Sequence, residues 1–167
     1  MARRNQFSIT DVLPANTSPA AQDEVSTTLG KRRVLACDPS SDESFVITGV
    51  VPQNYRGGTV KVRTPVCANT TTASHAVGVG IKSEFRTADA AEAMGTDNFD
   101  ASADSSSTTF STTAYEGREL VTTITPAVSP VAGDLFRLLV TNNSGIASGV
   151  TVDALFLSDW FEVWEEV

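Results

Sequence analysis

The chain has 167 residues, is 41% hydrophobic and carries a net charge of −8, enough for one domain with a substantial core and too little for two ordinary ones. Five of its twelve Lys and Arg fall in residues 1–33 against three acids, so the remainder is strongly acidic, which argues against nucleic acid as a partner of the folded part. No run of roughly 18 apolar residues could span a membrane, and residues 1–20 lack the apolar core of a signal peptide, so synthesis and persistence in a cytosol is the expectation.

Residues 1–32 offer only isolated apolar positions (Phe7, Ile9, Val12, Leu13, Val25, Leu29), interrupted by Pro14, Pro19 and Asn16-Thr17-Ser18. No helix or strand face persists. The segment reads as an extended N-terminal arm that packs on something else, or as a disordered tail, with residues 33–167 as the folded domain.

From residue 33 alternation becomes regular. Strands are predicted near 33–37, 44–51, 58–67, 74–86, 107–114, 118–126, 133–142 and 149–163, separated by turn-forming stretches such as Asp38-Pro39-Ser40-Ser41-Asp42, Asn54 to Gly58 and Asn142-Asn143-Ser144-Gly145. Eight strands in this length predict an all-β, jelly-roll-like β-sandwich. Residues 49–63 give the sharpest signal: a strand end, a Pro-x-x-Tyr-x-Gly-Gly corner, then Val60 and Val62 alternating with Lys61 and Arg63. In the strand at 74–86, His75, Val77, Val79 and Ile81 alternate with small Ala76, Gly78 and Gly80, a face suited to close approach by another sheet or chain. Residues 87–106 break the pattern. They read as a long connection across one end of the sandwich, with Ala88 to Met94 able to form a helical turn that Gly95 would stop.

Candidate chemistry is sparse. His75 is the only histidine and has no recognisable partner, so a core-edge or intersubunit position competes with catalysis. Asp97, Asn98, Asp100 and Asp104 have the composition of a Ca²⁺ loop without its spacing, and a solvated acidic loop is the simpler reading. Glu162, Glu165 and Glu166 give no support for acid/base pairing. Cys37 and Cys67 read as small buried thiols in strands in preference to a disulfide. Trp160 and Trp164 would share one strand face, with Phe161 on the other, serving either a core or a subunit interface. Common nucleotide, metalloprotease and hydrolase signatures are absent. The expectation is therefore a protein that is no enzyme and needs no cofactor or metal.

Three stretches together resemble a family of small β-sandwich virion proteins of tailed bacteriophages: Val51 to Thr59, Pro130 to Arg137, and Val152 to Leu157 leading to Glu162. The resemblance spans about residues 34–163. It implies a capsid decoration (cement) protein, sitting as a homotrimer on the virion surface and binding the major capsid protein. Under that reading Arg3, Arg4, Phe7, Ile9, Val12 and Leu13 of the arm would grip the capsid, and Ala76, Gly78, Gly80, Trp160 and Trp164 would form the oligomer interface. An arm that orders on binding and a cyclic oligomer would let modest contacts add up. The alternative is a tail-associated receptor- or carbohydrate-binding module, in which Trp160 or Tyr115 would stack sugars beside Asp97 and Asp100. A carbohydrate-active enzyme would need two carboxylates facing each other across a cleft.

Overall fold

The computed structural model describes residues 4–27, 30–70, 75–87, 97–143 and 152–167. Through them run β1 (Arg4–Gln6), β2 (Ser8–Pro14), β3 (Ala21–Thr27), β4 (Gly30–Cys37), β5 (Ser44–Val50), β6 (Thr59–Ala68), β7 (Ala76–Arg86), β8 (Asp104–Thr109), β9 (Arg118–Ile124), β10 (Leu135–Asn142), β11 (Ala154–Phe156) and β12 (Glu162–Glu166), with a 3-10 turn at Ser158–Trp160. The fold is all-β: two antiparallel sheets form a sandwich of broadly jelly-roll type. In sheet A the order is β1-β12-β6-β11-β4-β3, with β9 on the other edge of β6. In sheet B it is β2-β5-β10-β7-β8.

Alternation decides which face is inside. Along β10 every second residue is buried, so Phe136, Leu138 and Val140 point inward, as do Phe45 and Ile47 of β5 and Val77, Val79 and Ile81 of β7. Sheet A answers with Val60, Val62, Val66, Leu120, Phe156 and Val163. Each such side chain stabilises the fold by about 1.5–3 kcal/mol through burial. Phe45 stacks on Phe161 with centroids 5.4 Å apart and lies 5.3 Å from Phe156. A second buried cluster, Val34, Ala36, Cys67, Leu155 and Leu157, includes the neighbours of Cys67 in β11 and β4. Cys37 belongs to the main core instead, and both thiols are free. Burial pushes both up, Cys67 to about 11, so they remain protonated near neutral pH.

The structure corrects the expected arm. Residues 4–27 are built into both sheets: β1 pairs with β12, β2 with β5 and β3 with β4. Phe7 carries the chain from one sheet to the other. Its N–H bonds the Val163 carbonyl at 2.8 Å, and its ring packs edge-on against Tyr55 and Phe136 at 5.8 and 5.6 Å. Ile9 and Val12 pack against the core, Leu13 is exposed and Arg4 covers Trp164, while Arg3 lies outside the described residues. The predicted last strand is also divided. Leu157 accepts the Trp160 N–H at 3.0 Å and closes a turn that leaves β11 and β12 as separate strands.

The Pro-x-x-Tyr-x-Gly-Gly corner is locked by Glu165, which is fully buried. Its Oε1 accepts the N–H groups of Arg56 at 2.9 Å and Gly58 at 2.6 Å, and its Oε2 accepts Asn5 Nδ2 at 2.6 Å. Burial alone would push this carboxyl up, but the bonds from Asn5, Gly58 and Arg56 outweigh it and hold it below the ordinary glutamate range. Gly58 is required by this approach. A Cβ there would stand 2.6 Å from the Glu166 carbonyl and 2.9 Å from Glu165 Oε1. The predicted helical turn at Ala88 to Met94 lies outside the described residues.

Candidate functional site

Sheet register places chemistry in rows on the outer face of sheet B. Thr48 of β5, Arg137 of β10 and Glu84 of β7 are cross-strand neighbours. The adjoining rows are Val46, Leu139 and Lys82 on one side and Val50, Leu135 and Arg86 on the other. Leu135 is 45% exposed, and Val46, Val50 and Leu139 are half-buried, so the described residues leave part of this aliphatic floor uncovered.

Residues 97–99 run along this face and complete a network. Glu84 is 4% exposed. Its Oε1 accepts Arg86 Nε at 2.5 Å and the Asn98 N–H at 3.1 Å, and its Oε2 accepts Arg137 Nη1 at 3.2 Å. The same Nη1 donates to Asp97 Oδ1 at 2.6 Å, while the guanidinium carbon lies 5.0 Å from the Phe99 ring centroid. A buried carboxylate with two guanidinium partners is stable only when its lone pairs are satisfied, and here they are. The result is a fixed, planar, charged group with an aromatic neighbour. Both bonds of Arg137 use Nη1, leaving Nε and Nη2 without a partner among the described residues.

Two depressions of about 520 and 450 Å³ lie on this face and share Asn16, Thr48, Asp97 and Arg137 as a waist. The first continues over Leu135 and Val50, the second over Val46, Leu139, Leu13 and Phe99. Pro14 to Ser18 border the second. Together they form one groove across β5 and β10 whose floor is aliphatic and whose middle is polar. Such a mixture of apolar surface with a few fixed polar groups is what a small-molecule or chain-binding site requires.

The predicted acidic residues are dispersed by the fold. Asp97 bonds Arg137. Asp100 accepts the Ser83 hydroxyl and, at 3.2 Å, the Ala127 N–H, and Asp104 accepts the Thr125 N–H at 2.6 Å. Asp100 and Asp104 thus tie the β8 side of sheet B to the chain after β9. Among the described residues no three His, Cys, Asp or Glu side chains are grouped to hold a metal ion. His75 is half-buried just before β7, and its carbonyl accepts the Phe110 N–H at 2.9 Å.

The expected interface residues are also separated. Gly78 is buried, and a Cβ on Gly80 would meet Ala103 at 3.4 Å, so the small face of β7 is approached by the chain itself. Trp164 is 4% exposed beneath Arg4, whose guanidinium lies 4.8 Å from its ring, whereas Trp160 is 49% exposed. Tyr115, 52% exposed, and Trp160 both lie outside the groove that Asp97 lines. The sequence reading missed Glu84, Phe99 and Arg137 as a group. The only local signal was Arg137 on an outward position of a strongly alternating strand.

The sequence matches no known protein family and no curated protein. Among solved structures, the arabinose-bound α-L-arabinofuranosidase MgGH51 aligns over 92% of this chain at a TM-score of 0.46 and 17% identity. The carbohydrate-binding module TmCBM61, solved with β-1,4-galactotriose, aligns over 99% at 0.37 and 14%, and 88% of that module is covered. The active domain of tailspike protein 4 from bacteriophage CBA120 aligns over 100% at 0.41 and 10%. The chain spans 23% of the arabinofuranosidase chain and 19% of the tailspike chain. At these TM-scores and identities none of the three fixes the function of this chain.

Proposed function

We propose that this chain is a non-catalytic carbohydrate-binding module that takes a glycan along the outer face of sheet B. The observation that carries the reading is Arg137, held by Glu84 and Asp97 beside Phe99 at the waist of the groove. A sugar ring needs an apolar surface for its C–H face and rigid donors and acceptors for its hydroxyls. The groove offers Leu135, Leu139 and Phe99 for the first and Arg137, Asp97, Asn16 and Thr48 for the second. Preorganisation reduces the cost of ordering these groups on binding. Hydrolysis would require one carboxyl free to donate a proton and a second free to attack or to activate water. Glu84 is instead engaged by Arg86, Arg137 and Asn98, and Asp97 is bound to the same guanidinium, which favours binding over turnover.

The resemblance of Val51–Thr59, Pro130–Arg137 and Val152–Leu157 to phage virion proteins supports a virion location, with the tail as the place where glycan recognition is useful. The same resemblance supports a second reading, a decoration protein bound as a homotrimer to the major capsid protein. Copy number in purified particles separates them: a handful indicates the tail, hundreds the shell.

The direct test is calorimetric titration with bacterial surface polysaccharides and short oligosaccharides. Arg137→Ala and Phe99→Ala should each weaken binding by about tenfold or more while the circular dichroism spectrum is retained. Unaltered binding in both variants would overturn the groove as the site.

A further inference from the structure

The 3-10 turn that divides the last strands presents Trp160 at the surface, 49% exposed, with the Arg32 guanidinium of β4 lying 4.4 Å from its ring centroid. Beside the ring is a separate depression of about 390 Å³, lined by Trp160, Gln6, Arg63, Arg118, Glu119 and Glu162 among others. It shares no residue with the groove on sheet B. Arg63 stands between two carboxylates, at 3.1 Å from Glu162 and 3.3 Å from Glu119, which fixes donors and acceptors relative to one another.

We propose that this depression is a second saccharide site, taking a single terminal sugar against Trp160 and making the module bivalent. The inference rests on the glycan-binding reading of the chain. Its ligand chemistry follows from the surroundings of the indole. Protein interfaces place their aromatics in a core depleted of charge, whereas the depression beside Trp160 is lined by Arg63, Arg118, Asp159, Glu119 and Glu162, and Arg32 lies over the ring. Charges of both signs also disfavour a purely anionic or cationic ligand. A polyhydroxylated ring, with one C–H face for the indole and hydroxyls for carboxylate, amide and guanidinium, satisfies every group present. A cavity this small, at the low end of ordinary ligand sites, suits a chain end better than a passing chain. Sites on the two sheets would then engage two glycan chains, or two branches of one, and raise avidity without further contacts.

The chain has two tryptophans, so Trp164→Phe leaves Trp160 as the sole indole reporter. Maltotriose, cellotriose, β-1,4-galactotriose and fragments of bacterial surface polysaccharide are the probes. Titration should change Trp160 emission saturably, and the change should persist in Arg137→Ala. Calorimetry on the chain with both tryptophans provides a second readout, independent of Trp164→Phe folding: two sites, falling to one in Arg137→Ala or in Trp160→Ala. A single site abolished by Arg137→Ala, with Trp160 emission unchanged, overturns the second site and leaves the groove standing. No response to any probe overturns both. Self-association that disappears in Trp160→Ala would mark the surface as a contact between copies of the chain and overturn the proposal.

Discussion

The outer faces of the two sheets are built from similar residues and finished in opposite ways. On sheet A, Lys61 pairs with Glu166, Arg63 with Glu162 and Glu119, and Arg4 lies over Trp164, so these charges are answered along the face and the Trp164 indole is covered. On sheet B the paired charges are drawn together around Glu84, with Arg137, Arg86 and Asp97, and among the described residues the flanking Val50, Val46 and Leu139 are only half-buried and Leu135 is exposed. A face whose charges are spread covers its own strands and leaves an opening only at its corner, beside Trp160. One whose charges are concentrated leaves apolar floor for something else.

The widest break in this comparison should come from beneath both faces. Phe7 joins the sheets and is 3% exposed, so Phe7→Ala should cost about 3–5 kcal/mol, and removing residues 1–14 should abolish the cooperative thermal transition seen by circular dichroism. A truncated chain that melts unchanged would restore the idea of a detachable arm.

Next in size is the corner under sheet A. Glu165→Gln places an amide where two backbone N–H groups donate, and an unsatisfied buried group costs about 1–3 kcal/mol. The effect has a sign in pH. Because the folded carboxyl sits below its ordinary value, its stabilisation is complete above the usual glutamate range of about 4.3 and is lost as pH falls through the lower folded value. Melting temperature against pH should therefore fall less steeply in acid for the Gln variant than for the native chain. Equal slopes would show that Glu165 is not the group being titrated.

A smaller effect on stability sharpens the contrast between the faces. Arg137→Ala leaves Glu84 with Arg86 and Asn98, so its melting temperature should drop by only a few degrees while glycan affinity collapses. A loss of both in proportion would make the row a structural device. Smallest of all, Arg63→Met on sheet A removes half-exposed ion pairs worth about 0–1 kcal/mol, and its effect should shrink in high salt. A large, salt-independent loss would show that the charge ladder is needed for the fold.

The strands that could be read from the sequence are those with one face wholly buried. β5, β9 and β10 alternate, β6 does so over its first half, and these four together with β7 stand within two residues of their predicted bounds. β1 to β3 escaped for a specific reason. Register slips at a bulge between Ile9 and Asp11, so Ile9 and Val12 both reach the core at a spacing of three, and the period of two that marks a strand disappears. β3 is an edge strand written in exposed Asp23 and Glu24, chemistry that protects an edge and also hides it. The site was less legible still. Glu84 and Arg137 are separated by 53 residues and meet through the β7–β10 register. Phe99 reaches them from a connection whose destination no local pattern encodes. The Tyr55-Arg56-Gly57-Gly58 turn could be read, but its anchor Glu165 lies more than a hundred residues away.

The pairing of β1 with β12 sets a clock on biogenesis. Arg4–Gln6 are made well before Glu162–Glu166, the strand they pair with, and at ordinary synthesis rates the interval is roughly ten to thirty seconds. Until then Phe7 has no Val163 carbonyl to bond, and β6 lacks β11 and β12 along one edge. Over that interval the nascent chain carries an unpaired strand edge and lacks the backbone partner of Phe7, so this edge of the sandwich can close only after β12 is made. Unpaired edges and unburied aromatics are what chaperones and proteases meet on a growing chain, and pairing of β12 with β1 and β6 is what withdraws them.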